Sequence, residues 1–119
     1  MKLELVKNKH RLINHSSIIL VSSQLASMRN IITIAWHQII DINPILVGIS
    51  VGIERYSHYM IKESGLFGIN VPLVNLIDKV WFCGKHSGKN TDKFKACELS
   101  YFYGPIKNIP LIQECPANL

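Results

Sequence analysis

Cysteine is scarce in this sequence and unpaired in its spacing: Cys83, Cys97 and Cys115 form no C-x-x-C pair. An odd, scattered set excludes a disulfide framework and a thioredoxin-type motif, and predicts reduced, partly buried thiols. Cys83 and His86 have a spacing that begins some metal sites. No second His or Cys pair supplies the four ligands of a structural zinc, so no metal is expected. No apolar run approaches the roughly 20 residues that span a bilayer, which argues against a membrane protein. The segment from Met1 to Arg11 alternates Lys with Leu and Val and lacks an apolar signal core, so a cytoplasmic location is expected. A Ser-His-Asp set, paired carboxylates and G-x-G-x-x-G are all missing, and no catalytic acid, base or nucleophile is assigned. Acidic residues are few as well, 8 Asp and Glu against 13 Lys and Arg, for a net charge of +5. The cations are spread along the chain rather than interleaved with aromatics, which argues against nucleic acid and suits a small anionic ligand equally well.

What is present suffices for one domain, residues 1–119. The chain has 119 residues, 48% hydrophobic and 18% charged, which excludes disorder and allows a real core. Ser17 to Ser22 is a β-branched run that reads as a buried strand, and residues 23 to 29 read as a polar turn. From Ile31 to Trp36 the side chains alternate: Ile32, Ile34 and Trp36 form a core face, while Thr33 and Ala35 form a small one. Pro44 breaks the pattern, and Ile45 to Ser50 reads as a further strand. Tyr56 to Ser64 reads as a helix capped by Ser57 and terminated by Gly65, with a strand from Leu66 to Val71 after it. A second helix is expected over Val74 to Cys83, with Leu76, Ile77, Val80 and Trp81 as its apolar stripe and Gly84 ending it. Phe94 to Cys97 reads as a helical turn and Ser100 to Tyr103 as a strand, so the chain is mainly β with two helices.

Arg55 with Ser50, Ser57 and His58 is the best polar cluster. A guanidinium, hydroxyls and the free N–H groups of a first helical turn are the groups that hold a phosphate dianion. The same residues read equally as surface charges beside a helix that Ser57 merely caps. The stretch Gly84 to Lys89 imitates a P-loop. It is one residue short of G-x-x-x-x-G-K-[ST], Asn90 stands where Ser or Thr is needed, and a helix precedes it.

Three stretches together resemble the flavin reductase-like, flavoredoxin-type family of FMN-binding split barrels. They are Asn30-Ile31-Ile32-Thr33-Ile34-Ala35-Trp36, then Ser50 with Arg55-Tyr56-Ser57-His58, then Cys83 to Phe94. The last reads Cys-Gly-x-x-Ser-Gly-x-x-x-Asp-Lys-Phe and matches the family loop position for position. The resemblance implies a Greek-key split β-barrel, α+β overall, with two short helices. Ile112 to Leu119 resembles a segment that in the family leads into further strands, so the barrel is expected to be incomplete and to cover about two thirds of the family domain. The resemblance also implies FMN as cofactor. Asn30, Ile31, Thr33, Ala35 and Trp36 would lie along the ring, and Ser50, Arg55, Tyr56, Ser57 and His58 at the phosphate, followed by Ile61, Ser64, Phe67 and Asn70 at the same end. Ser87, Lys93 and Phe94 would come from the loop, near a homodimer interface. NAD(P)H would be a transient electron donor to a flavin or ferric reductase. A non-enzymatic electron carrier and an interaction module without cofactor are the alternatives.

Overall fold

The computed structural model describes residues 17–119, so the expectation placed on Met1 to Arg11 lies outside the described residues. β1 (Ile19–Leu25) and β2 (Met28–Ile34) form an antiparallel hairpin paired from Ile19 with Ile34 to Leu25 with Met28. The polar turn expected over 23 to 29 shrinks to Ala26 and Ser27, with Ala26 at φ 53. Ser23 and Gln24 continue the strand because the fold gives their polar atoms partners. Gln24 Oε1 accepts from the Tyr103 hydroxyl at 2.6 Å, and its Nε2 donates to the Ala26 carbonyl at 2.9 Å.

β3 (His37–Ile42) and β4 (Ile45–Ile49) form a second hairpin turned at a cis Asn43–Pro44 bond. α1 spans Tyr56–Ser64 and ends as expected at Gly65, which takes the left-handed conformation at φ 70 and donates its N–H to the Ile61 carbonyl. β5 (Gly68–Val71) follows. A 3-10 turn at Val74–Leu76 then leads into α2 (Ile77–Lys85), and α3 (Lys93–Ala96) is capped by the Asp92 carboxylate accepting from Lys95 N. β6 (Tyr101–Tyr103) pairs with β7 (Pro110–Ile112), and β8 (Ala117–Asn118) closes the order.

Among the described residues the main sheet runs β2-β1-β5-β8, all antiparallel, with β2 at its edge. Strand alternation divides its side chains between two layers. Leu20 and Ile31 pack with Leu76, Cys83, Phe94, Cys97, Leu99 and Ile112 under α2 and α3. Ile19, Val21, Ile34 and Ile69 pack on the other face with Val47, Ile49, Ile61 and Phe67. Buried Asn70 ties the layers. Its Nδ2 donates to Leu20 O and Ser22 Oγ, and its Oδ1 accepts from Ile112 N and Asn118 Nδ2.

The expected helix stripe is corrected. Leu76 is buried and Val80 half-buried, but Ile77 and Trp81 are 61% and 68% exposed, because Cys83 rather than Trp81 faces the sheet. Lys85 covers the Trp81 ring, its Nζ 4.7 Å from the centroid. Trp36, expected in the core, lies just beyond the end of β2 and is 53% exposed. Gly84 does not end α2. The helix continues to Lys85, and a Cβ at Gly84 would sit 3.4 Å from the Thr33 Cβ, so the small residue lets helix and strand approach. Ser57 does not cap α1 either. Arg55 occupies that position with no side-chain cap bond, while Ser57 is buried inside the first turn. The described strands make three separate sheets and no closed barrel. Among the described residues no helix is long and apolar enough to cross a membrane.

Candidate functional site

The free edge of β2 borders a cleft of about 160 Å³ set between the start of α1 and the end of α2 with its loop. Asn30 comes from the strand, Arg55, Tyr56 and Ser57 from the helix start, and Ser87, Gly88 and Lys93 from the loop and α3. A second crevice of about 350 Å³ continues along the same edge, lined by Thr33, Ala35, Trp36, Ser50 and Gly52. Ile32, Glu54, Arg55 and Gly84 border both, so the two form one continuous trough.

Lys93 is 2% exposed, and its Nζ donates to the Ile31 carbonyl at 2.6 Å and the Cys83 carbonyl at 2.9 Å. Burial pushes the ammonium below the usual lysine value, against the pull of Cys83 and Cys97 and together with the Arg55 guanidinium. The Ile31 carbonyl therefore points out of the sheet, and ladder alternation turns the backbone of Thr33 outward too. Arg55 is exposed and its Nε lies 3.3 Å from Glu54 Oε1, so part of the surface-charge reading holds. An exposed pair of this kind contributes little stability, which leaves the guanidinium available to a stronger anion. The α1 N-terminus beside it has no side-chain cap. Orphan N–H groups, a guanidinium and a buried ammonium on one small cleft make an anion-binding arrangement.

Asn30 is 1% exposed. Its Nδ2 donates to Ser57 Oγ at 2.8 Å, whereas its buried Oδ1 has no hydrogen-bond partner among the described residues. Gly88 runs against this carboxamide so closely that any Cβ there would overlap it. In the larger crevice Ala35 leaves space beside the exposed Trp36 ring. The trough thus offers a polar, cationic end and an apolar, planar-walled end, the combination that a phosphorylated aromatic ligand requires.

Six of the expected contacts lie elsewhere. Ile31 is fully buried under α2 and α3, because one step along a strand reverses the face. His58, one residue after Ser57 and so turned about 100° around the helix, lines a different crevice with Ile49, Val51, Ile61 and Phe67. Phe94 is in the core, its ring 5.4 Å from that of Tyr101. Ile61 and Phe67 go with His58, and Asn70 is the buried hub described above. The Thr33 hydroxyl, expected to face a ring, donates to the Val80 carbonyl at 2.6 Å. Sequence reasoning missed Gly88 as a wall of the cleft and read Gly84 as a terminator, although both stand in the Cys-Gly-x-x-Ser-Gly loop. Among the described residues no three His, Cys, Asp or Glu side chains group to hold a metal ion.

Comparison with known proteins gives a family and a fold. Residues 12–119 match the model of the flavin reductase like domain. An uncharacterised protein of Archaeoglobus fulgidus is 36% identical over 90 residues, covering 76% of this chain and 51% of its own length. Flavoredoxin of Desulfovibrio vulgaris superposes with a TM-score of 0.87 at 26% identity, covering 99% of this chain and 64% of its own. The FMN-binding domain of a flavin reductases-like enzyme from Shewanella baltica superposes at 0.83, also 26% identical, covering 92% and 58%. The chain therefore spans between half and two thirds of the length of these relatives, and its fold is that of the split-barrel flavin reductase-like proteins.

Proposed function

This chain belongs to the flavin reductase like family, and on that premise we propose that it binds FMN noncovalently along the free edge of β2 and acts in flavin-dependent reduction. The observation that carries the reading is the convergence of Arg55, the uncapped start of α1 and buried Lys93 on a cleft joined to the crevice beside Ala35 and Trp36. The described FMN binding of the Shewanella baltica domain supports FMN, and the flavoredoxin similarity supports reductase-type chemistry.

In this reading Arg55, Tyr56, Ser57 and Ser87 hold the phosphate, with Lys93 adding positive charge from below. Asn30 borders the chain that follows, and Thr33, Ala35, Trp36 and Ser50 flank the ring. Lys93 also keeps β2 and α2 at a fixed separation through its two carbonyl bonds. The flavin, when bound, supplies the hydride and electron chemistry; the side chains bind, orient and exclude water. NAD(P)H is the electron donor we assign, stacking transiently in the open crevice. Residues 1–119 act as one flavin reductase-like domain in the cytoplasm, where three free thiols stay reduced.

A homodimer completes the proposal. Ile39, Ile40, Ile42 and Ile45 on the β3–β4 hairpin are all more than 60% exposed, a patch that a second copy would cover. Light scattering after size exclusion at micromolar concentration tests this, and a stable monomer refutes it. The cofactor reading is tested by the visible spectrum on titration with FMN and with riboflavin. FMN is expected to bind at least about ten-fold more tightly, since charge-assisted bonds to a phosphate are each worth roughly 1.5 to 3 kcal/mol. Equal affinities overturn the phosphate assignment. Anaerobic mixing of the loaded protein with NADH and NADPH separates a reductase from a carrier that turns over no free substrate.

A further inference from the structure

On the far side of α3 from the trough, a crevice of about 460 Å³ opens at the start of β2, walled by Arg29, Phe94, Lys95, Leu99 and Tyr101. Successive strand residues face opposite ways, so Arg29 stands on the Ile31 face of β2 and Asn30 on the other. Lys95, two residues or about 200° of helix beyond Lys93, turns away from the buried ammonium in the same manner. The crevice and the trough accordingly share no lining residue.

The Arg29 guanidinium is held in place without an acceptor. Its carbon lies 4.4 Å from the centroid of the Tyr101 ring, and that ring is fixed edge-to-face by Phe94 at 5.4 Å and by Tyr103 at 5.6 Å. The Tyr103 hydroxyl donates to Gln24, which stands opposite Arg29 in the β1–β2 ladder, so the strand and the ring stack are tied together. Among the described residues Arg29 has this ring contact but neither an ion pair nor a side-chain hydrogen bond. A half-buried guanidinium with one face on a ring keeps its N–H groups pointing outward along its edges, in the fork that an oxyanion fills.

The rest of the lining decides which oxyanion. Lys95 adds a second cation, but Asp92 and Glu98 add two carboxylates, so the crevice carries little net charge. The Asp92 carboxylate is committed to the α3 cap, accepting from Lys95 N at 3.2 Å, which fixes one negative charge in the wall. A phosphate dianion would be repelled by both carboxylates, whereas a single carboxylate needs only the fork. The Phe94, Leu99 and Tyr101 side chains give the remaining wall an apolar, aromatic character that suits a ring.

We propose that this crevice is a second ligand site, separate from the trough, which takes an aromatic monocarboxylate with its carboxylate on the Arg29 guanidinium and its ring against Leu99 and Tyr101. The proposal stands independently of the FMN reading.

The test is a titration with benzoate, and with benzamide as its uncharged counterpart, followed by the backbone amide NMR signals of the whole chain with FMN present in excess throughout. In the parent, benzoate is expected to shift the amides of Arg29, Lys95 and Ser100 and to bind at least about ten-fold more tightly than benzamide, the effect of a charge-assisted pair of hydrogen bonds. Arg29→Met, which keeps an unbranched stem and removes the fork, is expected to bind the two with similar affinity. Phenyl phosphate is expected to bind the parent more weakly than benzoate. Equal binding of benzoate and benzamide by the parent overturns the proposal without any variant, and so covers the case in which Arg29→Met does not fold. Shifts confined to residues of the trough, a benzoate preference retained in Arg29→Met, or tighter binding of phenyl phosphate at the crevice would each overturn it as well.

Discussion

The Lys93 ammonium lies 2.6 Å from the backbone carbonyl oxygen of Ile31, across 62 positions of sequence. With the 2.9 Å bond to the Cys83 carbonyl it links the edge strand to the end of α2. Lys93→Met keeps the unbranched stem, one atom shorter, and removes the Nζ that donates to both carbonyls. A loss of about 2 to 4 kcal/mol is expected, read as a drop in the urea midpoint at unchanged slope. A midpoint within error of the parent would show that water replaces the ammonium and that the clamp is not structural.

Arg55 borders both parts of the trough, and among the described residues its guanidinium pairs with its neighbour Glu54. Arg55→Ala is therefore expected to leave the melting temperature nearly unchanged, since an exposed pair contributes little. FMN affinity should fall at least about ten-fold, and riboflavin affinity much less. A parallel loss for both ligands, measured by fluorescence quenching, would remove Arg55 from the phosphate.

Ala35 and Ile34 are adjacent and should behave oppositely. Ala35 is half-buried on the crevice wall, so Ala35→Leu should exclude flavin while the protein still melts cooperatively. Ile34 is 5% exposed in the core, so Ile34→Ala should destabilise by about 2 to 5 kcal/mol. Full flavin absorbance in Ala35→Leu would exclude that wall as the ring site.

The buried thiols set the alkaline limit. Burial raises Cys83 to about 12 and Cys115 to about 11, from an ordinary value of 9.0. A raised pKa means the unfolded chain loses its proton first. The stability these thiols lend is complete below pH 9 and is lost as pH climbs from about 9 to 12. Lys93 acts with the opposite sign: burial disfavours its charge, and that cost is relieved as pH rises toward 10.5. Burial raises the Cys97 thiol as well, so with three thiols against one amine the urea midpoint is expected to fall above pH 9. Cys115→Ala should flatten that fall, and an unchanged profile would remove Cys115 as a contributor.

The sequence by itself determined what local physics governs. The β-branched run that opens β1, the αL stop at Gly65 and the helical turn of α3 depend on neighbours within a few residues, and each begins or ends within a residue or two of where the pattern puts it, while the Asp92 cap of α3 was not read from the sequence. The Cys-Gly-x-x-Ser-Gly loop stood out through the family resemblance its residues carry, and Arg55 as a cation beside hydroxyls and a helix start. Only the tertiary structure decided which neighbouring residue faces the trough. Asn30 rather than Ile31, Ser57 rather than His58 and Lys93 rather than Phe94 border it, because each choice turns on a strand face or about 100° of helix rotation fixed by distant partners. The stripe of α2 went the same way. Periodicity alone allows Trp81 or Cys83 to face the sheet, and the close packing of α2 on β2 at Gly84, where an added Cβ would come to 3.4 Å from the Thr33 Cβ, goes with Cys83 inside and Trp81 outside. The orphaned Asn30 oxygen had no signal in sequence at all, since an unpaired acceptor exists only once every other donor has been placed by the fold.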